Sequence, residues 1–294
     1  MEGFSMHIRL GYEIAIECSA PTPVISMLDV NRDRQAQIQR QTRFLTTPNV
    51  PVSTYEDSFG NTCRRFMAPA GGIRILYDAV IEDSGLPDEV NTLANETPVE
   101  RLPNEALIYL LGSRYCETDH LSDKAWNLFG HLPTGFARVQ AIVDYVHSHL
   151  SFSYGYARST RTAAQAYEEG VGVCRDFAHL AIALCRCMNI PARYVNGFLG
   201  DIGVPQDPAP MDFSAWMEVF LDGKWYTFDA RHNTPRIGRV VIARGRDATD
   251  VPLLHSFGPH RLTTFKVWCY EQETHPATPP MQGVDRTLTT PLLA

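Results

Sequence analysis

The sequence predicts an α+β protein in which an antiparallel β-sandwich is followed by a core of alternating helices and strands. Alternating apolar and polar residues recur through residues 1–82, with turn signals between them and no convincing helix pattern. Apolar residues at helical spacing follow residues 133–135 in the second part of the chain, where they alternate with short apolar runs. The first pattern is typical of half-buried antiparallel strands, and the second of helices packed on a sheet.

The N-terminal domain is predicted over residues 1–82. Apolar side chains occupy the even positions from Ile8 to Cys18, the period-two pattern of a strand with one buried face. A turn is predicted at residues 57–61, because Gly60 and Asn61 tolerate positive φ. Further strands are predicted over residues 25–30, 62–67 and 73–81.

A polar, proline-bearing stretch over residues 83–104 is predicted to be a connector to a core domain over residues 105–294. Within the core, apolar spacing predicts helices over 136–150 and 174–188 and strands over 192–198 and 263–270. Asp222 and Gly223 stand between two apolar runs, which is a strong signal for a β-hairpin.

Composition excludes several classes of partner. No apolar run approaches the roughly 18 residues of a membrane-spanning helix, and the first residues lack the apolar segment of a secretory signal. A cytoplasmic protein with reduced thiols is therefore expected. The net charge of −7 among 294 residues argues against nucleic acid as the main partner. No cofactor is indicated, and the oligomeric state cannot be predicted from these features.

Cys174 carries the strongest chemical signal. Gly170 and Gly172 lead into this cysteine, which begins a predicted apolar helix and is followed by Arg175. A helix N-terminus and a nearby cation both favour the thiolate, so they predict a lowered thiol pKa and a nucleophilic cysteine. A buried structural cysteine is the alternative, since cysteine is among the most buried residue types.

Metal binding by the same helix is excluded on geometry. Cys185 and Cys187 lie about 16–20 Å along the helix from Cys174, too far for shared zinc coordination. His179 points about 140° away from Cys174, which makes it a poor general base. Acidic residues with calcium-loop spacing are absent from the sequence, so no metal is expected.

Four segments together resemble the core of the transglutaminase-like superfamily over about residues 120–250. They are 172–180 (GVCRDFAHL), 190–197 (IPARYVNG), 215–220 (AWMEVF) and 225–229 (WYTFD). The N-terminal sheet with its turn at 57–61 resembles the domain that precedes this core in bacterial members. The resemblance implies a papain-like α/β core, with a nucleophilic cysteine at a helix start and histidine and aspartate on neighbouring strands.

By this resemblance Cys174 is the nucleophile and Asp229 is the carboxylate that orients a histidine. The histidine is expected immediately before Ala215, where this sequence has Ser214. With Asp222-Gly223 as the turn, Trp216 pairs with Asp229, and the Cα atoms of Ser214 and Asp229 lie diagonally about 7–8 Å apart. The hairpin therefore keeps the geometry of a histidine–aspartate pair without the imidazole.

Another histidine could replace the missing one. His232 lies on the opposite face from Asp229 if the strand continues regularly, although a bulge or turn after Ala230 could redirect it. His255 and His260, in a later loop, are further candidates. Arg231 is on the face of Asp229 and could pair with it, which would make that carboxylate structural.

Two functions follow. The first is a cysteine hydrolase or acyl transferase that acts on a protein, a peptide or a small amide through a thioester on Cys174. The second is a catalytically inactive descendant that serves as a binding or interaction module. Trp216 is expected in the core, with substrate contact as the alternative. Four arginines are expected on a solvated or structural face, or at an acidic end of the substrate; they are Arg236, Arg239, Arg244 and Arg246.

Overall fold

A computed structural model describes residues 5–272 of the chain, which form a mixed α+β fold. The strands are β1 (Met6–Cys18), β2 (Thr22–Ser26), β3 (Ile38–Gln41), β4 (Leu45–Thr47), β5 (Val52–Glu56), β6 (Thr62–Ala68), β7 (Ile73–Asp83), β8 (Ser151–Phe152), β9 (Val171–Gly172), β10 (Ala192–Phe198), β11 (Ser214–Leu221), β12 (Lys224–Phe228), β13 (Val240–Gly245), β14 (Leu254–Ser256) and β15 (His260–Glu271). The α-helices are α1 (Asn104–Leu107), α2 (Thr118–Phe129), α3 (Phe136–His149), α4 (Ala163–Glu169) and α5 (Cys174–Cys187).

Two antiparallel sheets form the predicted N-terminal sandwich. One has the order β15-β1-β7-β3, with β4 also pairing with β7, and the other has the order β14-β2-β6-β5. The even-numbered side chains of β1 are buried, as the alternation from Ile8 to Cys18 predicts. The second strand covers residues 22–26 rather than the predicted 25–30, so it begins and ends earlier in the chain. Residues 28–30 lie beyond it and lead to Asn31, whose N–H donates to the Val241 carbonyl of the core at 2.8 Å.

The last strand, β15, pairs with β1 from Glu271 opposite Ile8 to His260 opposite Cys18. The sequence places this strand with the core over residues 105–294, but the ladder joins it to the N-terminal sheet. Apolar alternation identifies a strand but not the strand that pairs with it. The sequence therefore could not predict that β15 pairs with β1, which is far away in the chain. The boundaries at 82 and 104 stay predictions, and residues 1–4 and 273–294 of the two domains lie outside the described part.

The core is an antiparallel sheet of order β12-β11-β10-β13 with α5 packed on β10 and β11. Residues 176–187 of α5 are all buried, so the helix runs through the interior with its N-terminus at the site. The hairpin has the predicted register from Leu221 opposite Lys224 to Met217 opposite Phe228. The ladder ends there, one residue before the predicted pair of Trp216 and Asp229, because β12 ends at Phe228. No helix within residues 5–272 is long and apolar enough to cross a lipid bilayer.

Candidate active site

Cys174 is the first residue of α5 and faces a cavity of about 90 Å³, called here the thiol cavity. Its lining also has residues from the start of β11 and from β15 of the sandwich. The cavity is largely apolar, and its lining includes Tyr154, Tyr194, Phe213, Ser214, Ala215 and Phe265. Because Phe265 belongs to β15, both the core and the N-terminal sandwich shape the surroundings of the thiol.

The backbone around Cys174 is held by a carboxylate from the first turn of its own helix. Asp176 Oδ2 accepts hydrogen bonds from the Val173 N–H at 2.9 Å and from Arg161 at 3.1 Å. A Cβ on Gly172 would lie 2.6 Å from the Asp176 Cβ. The position of the Asp176 side chain against the backbone of residues 172–173 therefore requires glycine at 172. The glycine before the cysteine therefore serves close packing that fixes the start of the helix.

The thiol of Cys174 does not have the lowered pKa that its helix position predicts. Burial raises the pKa of the thiol to about 11, and the carboxylates of Asp212 and Asp176 add to this, whereas Arg231 and the Ala215 N–H oppose it. Loss of hydration outweighs the favourable helix terminus here. The predicted cation, Arg175, donates instead to the carbonyls of Arg158 and Ser159.

Ser214, at the expected histidine position, begins β11 and pairs with Gly197 of β10. It lines the thiol cavity and also an adjoining polar cavity of about 150 Å³, called here the charged cavity. The lining of the charged cavity includes Tyr154, Asp201, Asp207, Asp212, Ser214, Arg231, His232 and Arg236. Ser214 thus lines both the cavity that contains the Cys174 thiol and the cavity that contains the His232 imidazole.

His232 is the imidazole that meets Asp229. Strand β12 ends at Phe228, and the chain turns at residues 230–232. The Asp229 carboxylate accepts from the N–H groups of Arg231 at 3.0 Å and His232 at 3.1 Å, and its Oδ2 lies 2.8 Å from His232 Nδ1. The turn therefore redirects His232 from the opposite face, which was the predicted alternative to a regular strand.

Arg239 is the arginine that pairs with Asp229. Its Nη2 donates to Asp229 Oδ2 at 2.9 Å and its Nε donates to Asp88 at 2.8 Å. Burial raises the pKa of Asp229, but Arg239 and His232 outweigh burial and hold that pKa well below its ordinary value. The predicted partner, Arg231, lies instead over the ring of Phe152, 3.8 Å from its centre.

Two other predicted residues are structural. Trp216 is 1% exposed, lines neither cavity and lies under the Arg239 guanidinium, so it belongs to the core rather than to a substrate surface. His179 is buried and stacked on Tyr115, and burial lowers its pKa. Its Nε2 accepts from the Ala248 N–H, which agrees with its predicted unsuitability as a base.

The four C-terminal arginines do not form a solvated face. Arg236 and Arg239 are buried, Arg244 pairs with Glu218, and Arg246 pairs with Asp250. The alternative candidate bases, His255 and His260, line neither of the two cavities.

Sequence reasoning missed Asp88, Tyr154 and Asp212. Asp88 belongs to the predicted connector, yet it accepts from Arg239 and from the Arg236 N–H at 2.9 Å. Tyr154 and Asp212 line both cavities. None of the three lies in a motif. Long-range packing brings Asp88 and Tyr154 to the site, whereas Asp212 lies two residues before Ser214.

Comparison with protein families identifies the part of the chain that carries the site. The family described as transglutaminase-like superfamily matches residues 125–230, which include Cys174, Ser214 and Asp229. His232 lies just beyond this match.

Similar proteins include both solved structures and curated sequences. A crystal structure described as a "Putative Cysteine Protease from Cytophaga hutchinsonii" superposes with a TM-score of 0.79 at 29% identity over 93% of each chain. An uncharacterized protein of Mycobacterium leprae is 30% identical over 120 residues, which are 38% of this chain and 41% of that protein. An uncharacterized protein of Mycobacterium tuberculosis is 35% identical over 92 residues, 28% of this chain and 29% of that protein. The chain thus matches less than half the length of these two curated relatives.

Proposed function

The chain belongs to the transglutaminase-like superfamily, and from this premise we propose that it is a cysteine hydrolase or acyl transferase acting on peptide or amide bonds. The observation that carries the proposal is the 2.8 Å contact between His232 Nδ1 and Asp229 Oδ2. It supplies an imidazole held by a buried carboxylate in the cavity that adjoins Cys174. The description of the Cytophaga hutchinsonii structure as a protease supports a peptide substrate.

The proposed reaction begins with a neutral thiol, because the pKa of Cys174 is raised to about 11. As Cys174 Sγ attacks the substrate carbonyl, its proton passes to the Ser214 hydroxyl while that hydroxyl gives its own proton to His232 Nε2. This route needs the tautomer in which Nδ1–H donates to Asp229, whose negative charge stabilises the imidazolium that forms. Backbone N–H groups at the start of α5 stabilise the oxyanion.

The second half of the reaction returns the proton. The imidazolium of His232 protonates the leaving amine as the carbonyl carbon–nitrogen bond breaks, which leaves a thioester on Cys174. Attack by water then releases a carboxylic acid, and attack by another amine forms a new amide. Hydrolysis and acyl transfer share every residue up to this point.

Three variants test the proposal with peptide amides as substrates. Cys174→Ala is expected to abolish turnover, and His232→Gln to lower kcat by about 10²- to 10⁴-fold, the usual contribution of a general base. His120→Gln is the matched control, because His120 is an exposed histidine outside both cavities. Unchanged kcat in His232→Gln would exclude His232 as the base.

Ser214 provides a separate test of the proton path. Ser214→Ala is expected to lower kcat, because it removes the hydroxyl between the two cavities. Ser214→His places an imidazole beside Cys174, so the double variant Ser214→His, His232→Gln is expected to recover activity. A double variant as inactive as His232→Gln alone would contradict the assigned geometry.

A binding module is the second candidate, favoured by two observations. No imidazole lines the thiol cavity among residues 5–272, and the thiol has a raised pKa. Such a module would bind a peptide equally well with Cys174 or with alanine at this position and would turn over none. Formation of an acyl adduct on Cys174, detected by mass spectrometry, distinguishes the enzyme from the module.

A further inference from the structure

The carboxylate of Asp229 has a hydrogen-bond partner at every position that its oxygens offer. Oδ1 accepts from the N–H groups of Arg231 at 3.0 Å and His232 at 3.1 Å. Oδ2 accepts from Arg239 Nη2 at 2.9 Å and lies 2.8 Å from His232 Nδ1. A carboxylate has about four lone-pair sites, so a second donor from Arg239 would reach Asp229 only by displacing His232 or a backbone N–H.

Asp88 fixes the orientation of the Arg239 guanidinium. Arg239 Nε donates to Asp88 Oδ2 at 2.8 Å, whereas its Nη1 has no hydrogen-bond partner within residues 5–272. The Arg239 Cζ also lies 4.9 Å from the centre of the Trp216 ring. A guanidinium binds a carboxylate preferentially with two parallel donors, so an Arg239 released from Asp88 would turn to give Asp229 two donors.

The position of Asp88 is itself set by the backbone just before Arg239. The Asp88 N–H donates to the Arg236 carbonyl at 2.9 Å, and Asp88 Oδ2 accepts from the Arg236 N–H at 2.9 Å. Pro87 and Ile237 form an antiparallel bridge beside this pair. The predicted connector therefore holds one carboxylate at a defined place against Arg239.

The charges of this group match the charge that the proposed reaction creates. Asp88 and Asp229 each bring a negative charge and Arg239 a positive one, so the three side chains together have one net negative charge. The buried pair of Arg239 and Asp229 alone is neutral and would give an imidazolium on His232 no net counter-charge. With Asp88 the group becomes neutral when His232 is protonated, and buried charges are tolerated when they are paired.

We infer that Asp88 is a positioning residue for the proposed reaction, an inference that rests on the proposed function. Asp88 holds Arg239 so that it gives Asp229 a single donor, which leaves the second site on Oδ2 to His232 Nδ1. Its negative charge offsets that of Arg239, so the charge of Asp229 stays available to the imidazolium. Asp88 lines neither cavity, so it acts through Arg239 and Asp229 rather than on the substrate.

The variant Asp88→Asn tests the inference with peptide amides as substrates. It is expected to lower kcat about 10- to 100-fold, the range of a hydrogen bond to a charged group, and to leave KM nearly unchanged, because the imidazolium forms only during the reaction. Asp88→Glu keeps the charge and is expected to keep more of kcat. Asp78→Asn is the matched control, because Asp78 accepts from Arg9 Nε at 2.8 Å in the sandwich and lines neither cavity.

The double variant Asp88→Asn, His232→Gln separates positioning from a merely structural role. If Asp88 acts through His232, the kcat of the double variant equals that of His232→Gln alone. A further loss by the factor seen in Asp88→Asn would overturn the inference. If kcat falls in His232→Gln but not in Asp88→Asn, the inference fails and the proposed function stands.

Proton NMR of the protein with isotope-labelled histidine tests the same contact without turnover. The His232 Nδ1–H resonance, assigned by its loss in His232→Gln, is expected downfield and in slow exchange in the unaltered protein and in Asp78→Asn, and absent from Asp88→Asn. Its absence from the unaltered protein would count against the contact between His232 and Asp229, on which the proposed function also rests. An unchanged resonance in Asp88→Asn would overturn the inference even if the protein turns over no substrate.

Arg239→Lys replaces Asp88→Asn if that variant fails to fold. Lysine keeps the positive charge but lacks the rigid fork of donors that joins Asp88 to Asp229, so kcat is expected to fall and the His232 resonance to be lost. An unchanged kcat together with an unchanged resonance would overturn the inference.

Discussion

Alkylation of Cys174 is expected to be slow near neutral pH and to increase up to about pH 11. Burial raises the pKa of this thiol to about 11, compared with about 8.5 for a free cysteine. At pH 8 about one thiol in a thousand is then ionised, against about one in four for the free thiol, a difference of about 200-fold. A more basic thiolate is more nucleophilic by about tenfold, which leaves a rate about 20-fold below that of the free thiol.

The measurement is the rate at which iodoacetamide labels Cys174 in the folded protein between pH 6 and 11.5. The label is read by mass spectrometry of the peptide that contains Cys174, and a free cysteine-containing peptide is the reference. Peptide resolution separates the label on Cys174, which is half-buried, from any label on the other six cysteines, which are buried. Arg231→Gln is expected to raise the midpoint and Asp212→Asn to lower it, since these charges act on the thiol with opposite sign. A plateau already reached below pH 8.5 would show a stabilised thiolate and refute the dominance of burial.

Two further variants test the support of the site. Asp229→Asn leaves Arg239 and His232 facing a neutral amide, so the free energy of unfolding in urea is expected to fall by about 3–5 kcal/mol; a loss below 1 kcal/mol would count against the buried pair. Because folding lowers the pKa of Asp229, its contribution to the free energy of unfolding is complete above about pH 5 and is lost as the pH falls through the folded pKa. The unaltered protein is therefore expected to lose this stability in acid, and Asp229→Asn is expected to show no such loss. Gly172→Ala would place a Cβ 2.6 Å from the Asp176 Cβ. The resulting shift is expected to lower the free energy of unfolding by about 1–3 kcal/mol and to slow turnover at Cys174. An unchanged melting temperature and rate would show that the carboxylate can move freely.

Local patterns predicted much of the architecture. The buried alternation of β1, the beginning of α5 at Cys174 and the register of the Asp222-Gly223 hairpin all agree with the sequence interpretation. These features depend on side-chain periodicity and turn chemistry, which act between residues close in the chain. The resemblance of four segments to the transglutaminase-like core agrees with the family match over residues 125–230.

The surroundings of the thiol could not be predicted in the same way. A helix start and a neighbouring Arg175 predict a lowered pKa, but burial of the thiol raises it. The cavity that the thiol lines is formed by separate elements, and Phe265 of β15 is among its residues. Hydration is a property of the assembled cavity, so a local motif cannot report it.

What the sequence by itself determined is the placement of Cys174 at a helix start, the hairpin that carries Asp229, and the absence of histidine at position 214. What only the tertiary structure decided is the partner of each charged group. Asp229 contacts His232 because the chain turns after β12, and it contacts Arg239, which lies further along the chain. Asp88 of the predicted connector accepts a second hydrogen bond from Arg239. The physical reason is that periodicity specifies which face of an element is buried, whereas a buried charge takes its partner from whichever element the fold brings within hydrogen-bond reach.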